Sequence, residues 1–256
     1  MPRQARQARA VERSKVWISA PFHATALGEG VPIRWALLYF RPTVDFRYIA
    51  IEGVVGVGKS RLADRLGARL DATIVLDDTE NPFLADAQAG RPGAAFQAQL
   101  FFTLARHRQQ SELRQSDLFS QLTICDYLFE RDKIYAHLNL DDNELFIYQR
   151  LFELLAPDLP VPDLVIYLQT PTDLLRRRLR EGARADPEAG RLDDTYVREL
   201  NDAYNHFFFH YSATPLLVVE TSQFDLTWGD ESLADLERQI RAMHKGTRYY
   251  VPRTAG

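Results

Sequence analysis

The chain has 256 residues, 46% of them apolar and 26% charged, which is enough to bury a core and argues against global disorder. Its formal charge of −4 gives no basic coat for nucleic acid, and no run approaches the roughly 20 apolar residues of a membrane helix. A single cysteine, Cys125, excludes an intramolecular disulfide and any cysteine-cluster metal site, which fits a reducing, cytoplasmic setting.

Residues 1–45 form an irregular, basic N-terminal extension, and residues 46–256 a single domain. Pro2, Pro21, Pro32 and Pro42 interrupt the extension, and no apolar period of 2 or 3.6 is sustained. Arg3, Arg6, Arg9, Arg13 and Lys15 leave it rich in positive charge. A flexible tail, an organellar transit peptide and an early start codon are three readings of such a segment.

The run Tyr48-Ile-Ala-Ile51 has the character of a buried parallel strand. It leads into Gly53-Val54-Val55-Gly56-Val57-Gly58-Lys59-Ser60, a G-x-x-x-x-G-K-S phosphate loop. Leu62, Leu66 and Leu70, spaced by four, make a helix follow. Glycines let successive N–H groups converge on an anion, and the helix start adds unpaired N–H donors. Lys59 then supplies a full charge for the outer phosphates and Ser60 a hydroxyl for Mg²⁺. Nucleotide binding follows from this segment; the reaction does not.

Further apolar runs at 73–77, 122–126, 164–168 and 215–219 bring the expected strands to five. Helices are expected near 59–70, 94–112, 128–138, 142–156, 171–181, 193–211 and 231–244. This alternation describes an α/β phosphate-loop fold: three layers, a five-stranded parallel sheet with helices on both faces. Ligands of such folds lie at the carboxyl ends of the strands.

Three groups fall at that edge. Glu80, just past the second strand, is placed either as a proton acceptor or as a solvated turn residue. Asp126 ends the third strand and is suited to holding Mg²⁺, or to capping a helix. Arg176, Arg180 and Arg184 share a helical stripe with Arg177 beside it, either a solvated basic face or a lid that closes on phosphates about Gly182. Within 94–112, Phe96, Leu100, Phe101 and Leu104 are expected to face the core. Gln99, Thr103, Arg106 and Gln110 form an adjacent polar stripe, which spacing alone assigns to solvent.

Taken together, Ile51–Ser60, Glu80-Asn-Pro-Phe-Leu84, Ala95–Phe102, Asp126-Tyr-Leu-Phe129, Lys133-Ile-Tyr-Ala136, Pro162–Leu168 and Thr214–Val219 resemble the deoxynucleoside kinase family, most of all its bacterial members. The resemblance implies transfer of the ATP γ-phosphoryl group, with Mg²⁺, to the 5′-hydroxyl of a deoxynucleoside. It implies that Glu80 is the general base and that Gln99, or Gln97 in the alternative register, binds the base together with Arg106. It also implies an arginine lid of Arg177, Arg180 and Arg184, a sugar contact from Asp186 or Glu188, and a homodimer built on helices 94–112 and 128–156. Two departures stand out. Many members have Glu-Arg-Ser where this chain has Cys125-Asp126-Tyr127, so the acidic function passes to Asp126, and lid arginines or Arg131 stand in for the missing arginine. A sugar-contacting tyrosine is replaced near Gln88. The rival readings are a thymidylate-type monophosphate kinase and a nucleotide-binding regulatory module. The preferred nucleobase is not legible from these residues.

Overall fold

A computed structural model of the protein describes residues 46–77, 80–115, 122–182, 192–222 and 229–252. The N-terminal extension, Arg184, Asp186 and Glu188 lie outside the described residues.

The strands are β1 (Tyr48–Glu52), β2 (Thr73–Val75), β3 (Thr123–Cys125), β4 (Leu164–Gln169), β5 (Leu216–Glu220) and β6 (Thr247–Tyr250). The helices are α1 (Lys59–Leu70), α2 (Leu84–Gln88), α3 (Ala94–Gln115), α4 (Asp132–Asn139), α5 (Asp142–Leu155), α6 (Thr172–Gly182), α7 (Asp194–Phe209) and α8 (Asp230–Arg241). A short 3-10 turn, Phe129–Arg131, runs into α4. The sheet order is β2-β3-β1-β4-β5-β6, and all pairings are parallel. The sheet therefore has six strands, not the expected five. β6 escapes detection by sequence because it is an edge strand with three exposed residues and only Tyr250 buried, so it carries no apolar run.

Both faces are covered. Ile49 and Ile51 of β1, Ile166 and Leu168 of β4 and Leu217 and Val219 of β5 pack with Leu62 and Leu66 of α1 and Leu236 and Ile240 of α8. The alternate residues, Ala50, Val165, Tyr167, Leu216 and Val218, pack with Leu175 and Leu179 of α6 and Leu200, Tyr204 and Phe208 of α7. This period of two places Glu52, the last residue of β1, at the carboxyl edge on the face of Ala50, where the Tyr204 hydroxyl of α7 reaches it. The sheet and α1 meet closely at Gly67, where a Cβ would lie 2.0 Å from the Ile74 Cδ1. Helix α5 starts on a reciprocal capping box in which Asp141 accepts from the Glu144 N–H and Glu144 from the Asp141 N–H.

Helix α3 corrects the reading of its two stripes. Gln99, Thr103, Arg106 and Gln110 are buried, whereas Leu104 is 48% exposed. The polar stripe turns inward because carboxylates and a phenol wait there: Asp132 at the start of α4, Asp77 beyond β2, and Tyr48. Helical spacing locates a stripe, but what it faces is set by elements remote in the chain.

Candidate active site

The phosphate loop spans the turn from β1 to α1. Gly56 has φ +82°, and a Cβ there would come within 2.6 Å of Leu179 Cδ2. Only glycine accommodates both that backbone and the close approach of α6. The Lys59 ammonium donates to the carbonyls of Gly53 (2.8 Å) and Val54 (3.4 Å) across the loop. Burial lowers its pKa, opposed mainly by the Glu52 carboxylate. The Ser60 hydroxyl donates to Asp126 Oδ2, and Asp126 Oδ1 accepts from the Asp77 N–H at 2.7 Å. Asp126 thus stands at the foot of the loop, 3% exposed, and does not cap a helix of its own.

Glu52 is wholly buried and is not among the residues that the sequence motifs single out. Its carboxylate accepts from the Gly53 N–H (3.0 Å), the Leu128 N–H (2.7 Å) and the Tyr204 hydroxyl (3.2 Å). Burial raises its pKa, moderated by Arg131 and Lys59. An acid ending a buried apolar run is the available signal, since buried charges are rare without partners.

Across the edge, α3 and α4 build a second polar group. Gln99 Nε2 donates to the Asp132 carbonyl at 3.2 Å, and the Thr103 hydroxyl donates to Asp132 Oδ2 at 3.0 Å. Arg106 donates to Asp132 Oδ1 and forms two parallel bonds to Asp77, Nε to Oδ1 and Nη2 to Oδ2, each 3.0 Å. Its guanidinium also lies 4.7 Å from the Phe102 ring centroid. Burial would raise the Asp77 pKa, but Arg131 and Arg106 outweigh it and hold the carboxyl well below the usual carboxylate range. Asp132 and Asp77 were not singled out by their spacing; Asp132, four residues past Leu128 on a short helix, gives no local sign of its partners. Gln97, the other register, is exposed.

The remaining expected site residues are dispersed. Glu80 is exposed, and the adjacent Asn81 anchors the turn by donating to the Ala98 carbonyl at 2.9 Å. Gln88 is exposed at the end of α2. On α6, Arg180 pairs with Asp194 of α7 at 2.7 Å, Arg176 donates to the Asp194 carbonyl, and Arg177 is exposed. An arginine absent from the expected set, Arg178, donates to the Thr221 carbonyl (2.7 Å) and hydroxyl (3.0 Å), which ties α6 to the end of β5. A cavity of about 330 Å³ lined by Tyr167, Asn205, Phe208 and Tyr249 shares none of the site residues.

A phosphate loop joining the first strand and helix of a parallel sheet, with buried acids and cations at the same edge, defines a phosphate-loop nucleotide-binding protein of the kinase class. Residues 49–244 match the deoxynucleoside kinase family, and the chain belongs to it. It is 30% identical over 161 residues to the deoxyguanosine kinase of Bacillus subtilis, covering 61% of this chain and 76% of that protein. It is 24% identical over 204 residues to the deoxyadenosine/deoxycytidine kinase of the same organism, covering 76% and 92%. Among solved structures, the deoxyadenosine kinase of M. mycoides with products dCMP and a flexible dCDP shares the fold at a TM-score of 0.64 and 23% identity, covering 76% of this chain and 99% of that one. The chain is an enzyme that phosphorylates deoxynucleosides. No helix among the described residues is long and apolar enough to cross a membrane.

Proposed function

We propose that the enzyme transfers the γ-phosphoryl group of ATP to the 5′-hydroxyl of a deoxynucleoside. The observation that carries this reading is the continuity of the edge. Asp77 links the Asp126–Ser60 corner of the phosphate loop to Arg106, and Arg106 to Asp132 and Gln99. A nucleobase at the α3–α4 group therefore directs its sugar toward the phosphates.

Lys59 and the N–H groups of residues 53–60 hold the phosphates. Gln99, Arg106 and Asp132 offer a base edge both donors and acceptors. Ser60 and Asp126 present hard oxygen donors, a set that fits Mg²⁺, which neutralises developing phosphate charge when bound. Glu80, in the turn beyond β2, accepts the 5′-hydroxyl proton. The new O5′–P bond forms as the bridge to the β-phosphate breaks, and the electron pair leaves with ADP. Arg177, Arg180 and Arg184 form a lid that closes over the transfer, with Glu188 or Asp186 on the sugar. Closure requires Arg180 to leave Asp194, an exposed pair worth at most about 1 kcal/mol.

The test is turnover of the four natural deoxynucleosides, with dTMP in parallel, by the wild type and by Glu80→Gln. The variant should lose about 10²–10⁴-fold in kcat with little change in KM. Near-normal turnover removes Glu80 from its role, and a preference for dTMP replaces the acceptor with a monophosphate.

A homodimer belongs to the same proposal. Phe146, Ile147 and Leu154 of α5 and Leu104 of α3 are between 48% and 74% exposed. Large apolar side chains gathered on two contacting helices suit a two-fold interface. Light scattering should give twice the chain mass for the wild type and the single mass for Phe146→Asp; a monomeric wild type overturns the dimer. A cytoplasmic setting suits the free, buried Cys125, and cell fractionation checks it.

A further inference from the structure

Among the described residues, Arg106 and Arg131 are the buried arginines near the strand ends, and Arg131 is a candidate stand-in for the arginine missing beside Asp126. Its position follows from topology. One Nη bonds Asp77, beyond the end of β2, and the other lies 3.8 Å from Glu52, at the end of β1. Strand β3 runs between β2 and β1. The guanidinium therefore spans the end of β3, where Asp126 meets Ser60.

That is also the midpoint of the site. Asp77 is shared between Arg131 and Arg106, so the base-side group lies to one side. Glu52, bonded to the first amide of the phosphate loop, lies to the other. The faces of Tyr127 and Tyr135, each about 6 Å away, hold the group between them.

Its donors are not all used. The Arg131 Nε–H is buried with no acceptor, and the contact with Glu52 is too long for a hydrogen bond. A guanidinium carries five N–H donors in a fixed fork, and a buried one left unpaired is costly unless a ligand meets it. Of the arginines of α6, Arg176 and Arg180 are directed to Asp194 and Arg178 to Thr170 and Thr221, while Arg177 is exposed. The local charge leans the same way. Lys59, Arg106 and Arg131 face Glu52, Asp77, Asp126 and Asp132, so without Arg131 four acids would stand against two cations where a polyphosphate must enter.

We propose that Arg131 is a catalytic arginine of this enzyme, whose free donors meet the 5′ oxygen and the phosphoryl group in transit from above the end of β3. The proposal rests on the kinase reading. Arg131 forms no covalent bond; it stabilises charge on oxygens whose bonds to phosphorus are forming and breaking. Lysine cannot reproduce the role, because a point charge cannot serve both oxygens from one planar fork.

The experiment measures kcat, the deoxynucleoside KM and thermal unfolding for the wild type, Arg131→Lys and the pair Glu52→Gln with Arg131→Met. The pair removes both partners of the buried contact, so it folds where Arg131→Met alone would leave an acid uncompensated. Both variants should unfold cooperatively. Both should lose about 10²-fold or more in kcat, with the deoxynucleoside KM within about threefold of the wild type. A scaffold role predicts the opposite, with activity returning wherever folding does. The proposal is overturned if either folded variant keeps more than a third of the wild-type kcat, if the loss lies in KM, or if neither variant folds. A wild type inert toward every deoxynucleoside with ATP sinks the kinase reading itself, which is a separate outcome.

Discussion

Replacing Lys59 with alanine should lower kcat by about 10³-fold or more, roughly 4 kcal/mol of transition-state stabilisation. The ammonium is the one full charge inside the phosphate loop, held over it by the Gly53 and Val54 carbonyls. Those two bonds preset its position, so little reorganisation is needed when charge develops on the phosphates. Folding should survive, because the neighbouring Glu52 keeps its hydrogen bonds from the Gly53 and Leu128 amides and the Tyr204 hydroxyl. Steady-state assays at saturating ATP, paired with thermal unfolding, check this. A variant that folds and retains a tenth of wild-type turnover would take Lys59 out of the chemistry.

Asp132→Ala should act on both stability and substrate binding. Asp132 is fully buried and accepts from Arg106 and Thr103 through its two oxygens. Its removal leaves the Arg106 guanidinium inside the protein with Asp77 as its remaining carboxylate. Breaking a buried pair from one side costs about 3–5 kcal/mol, so the unfolding midpoint should fall by about 10 °C. If the α3–α4 group holds the base, the deoxynucleoside KM should rise at least about tenfold while the ATP KM stays near its wild-type value. Equal rises in both constants would mean that the site has loosened as a whole and that base recognition lies elsewhere.

The base-side group shows where local reading ends. The family resemblance picks out Gln99 and Arg106, while their spacing on α3 points to solvent. The structure buries them and adds Asp132 and Asp77, which come from a different helix and a strand end. Polar residues at helical spacing look the same whether they meet water or a row of acids. The arginines of α6 make the converse case. Their stripe is real, yet Arg176 and Arg180 lie against α7, and Arg178, off the stripe, is the one that reaches the strand ends.

The amino-acid sequence by itself determined the phosphate loop, five of the strands and the alternation of strand and helix. Each of these is a short-range pattern: glycines at fixed offsets, apolar runs, a period of 3.6. Only the tertiary structure decided the strand order β2-β3-β1-β4-β5-β6, the exposed edge strand β6, the joining of Asp77, Asp132 and Glu52 to Arg106 and Arg131, and of Asp126 to Ser60. A buried charge is stable only beside its counter-charge, and here Arg106 and Arg131 lie between 26 and 79 residues along the chain from their acids, a distance no local pattern records.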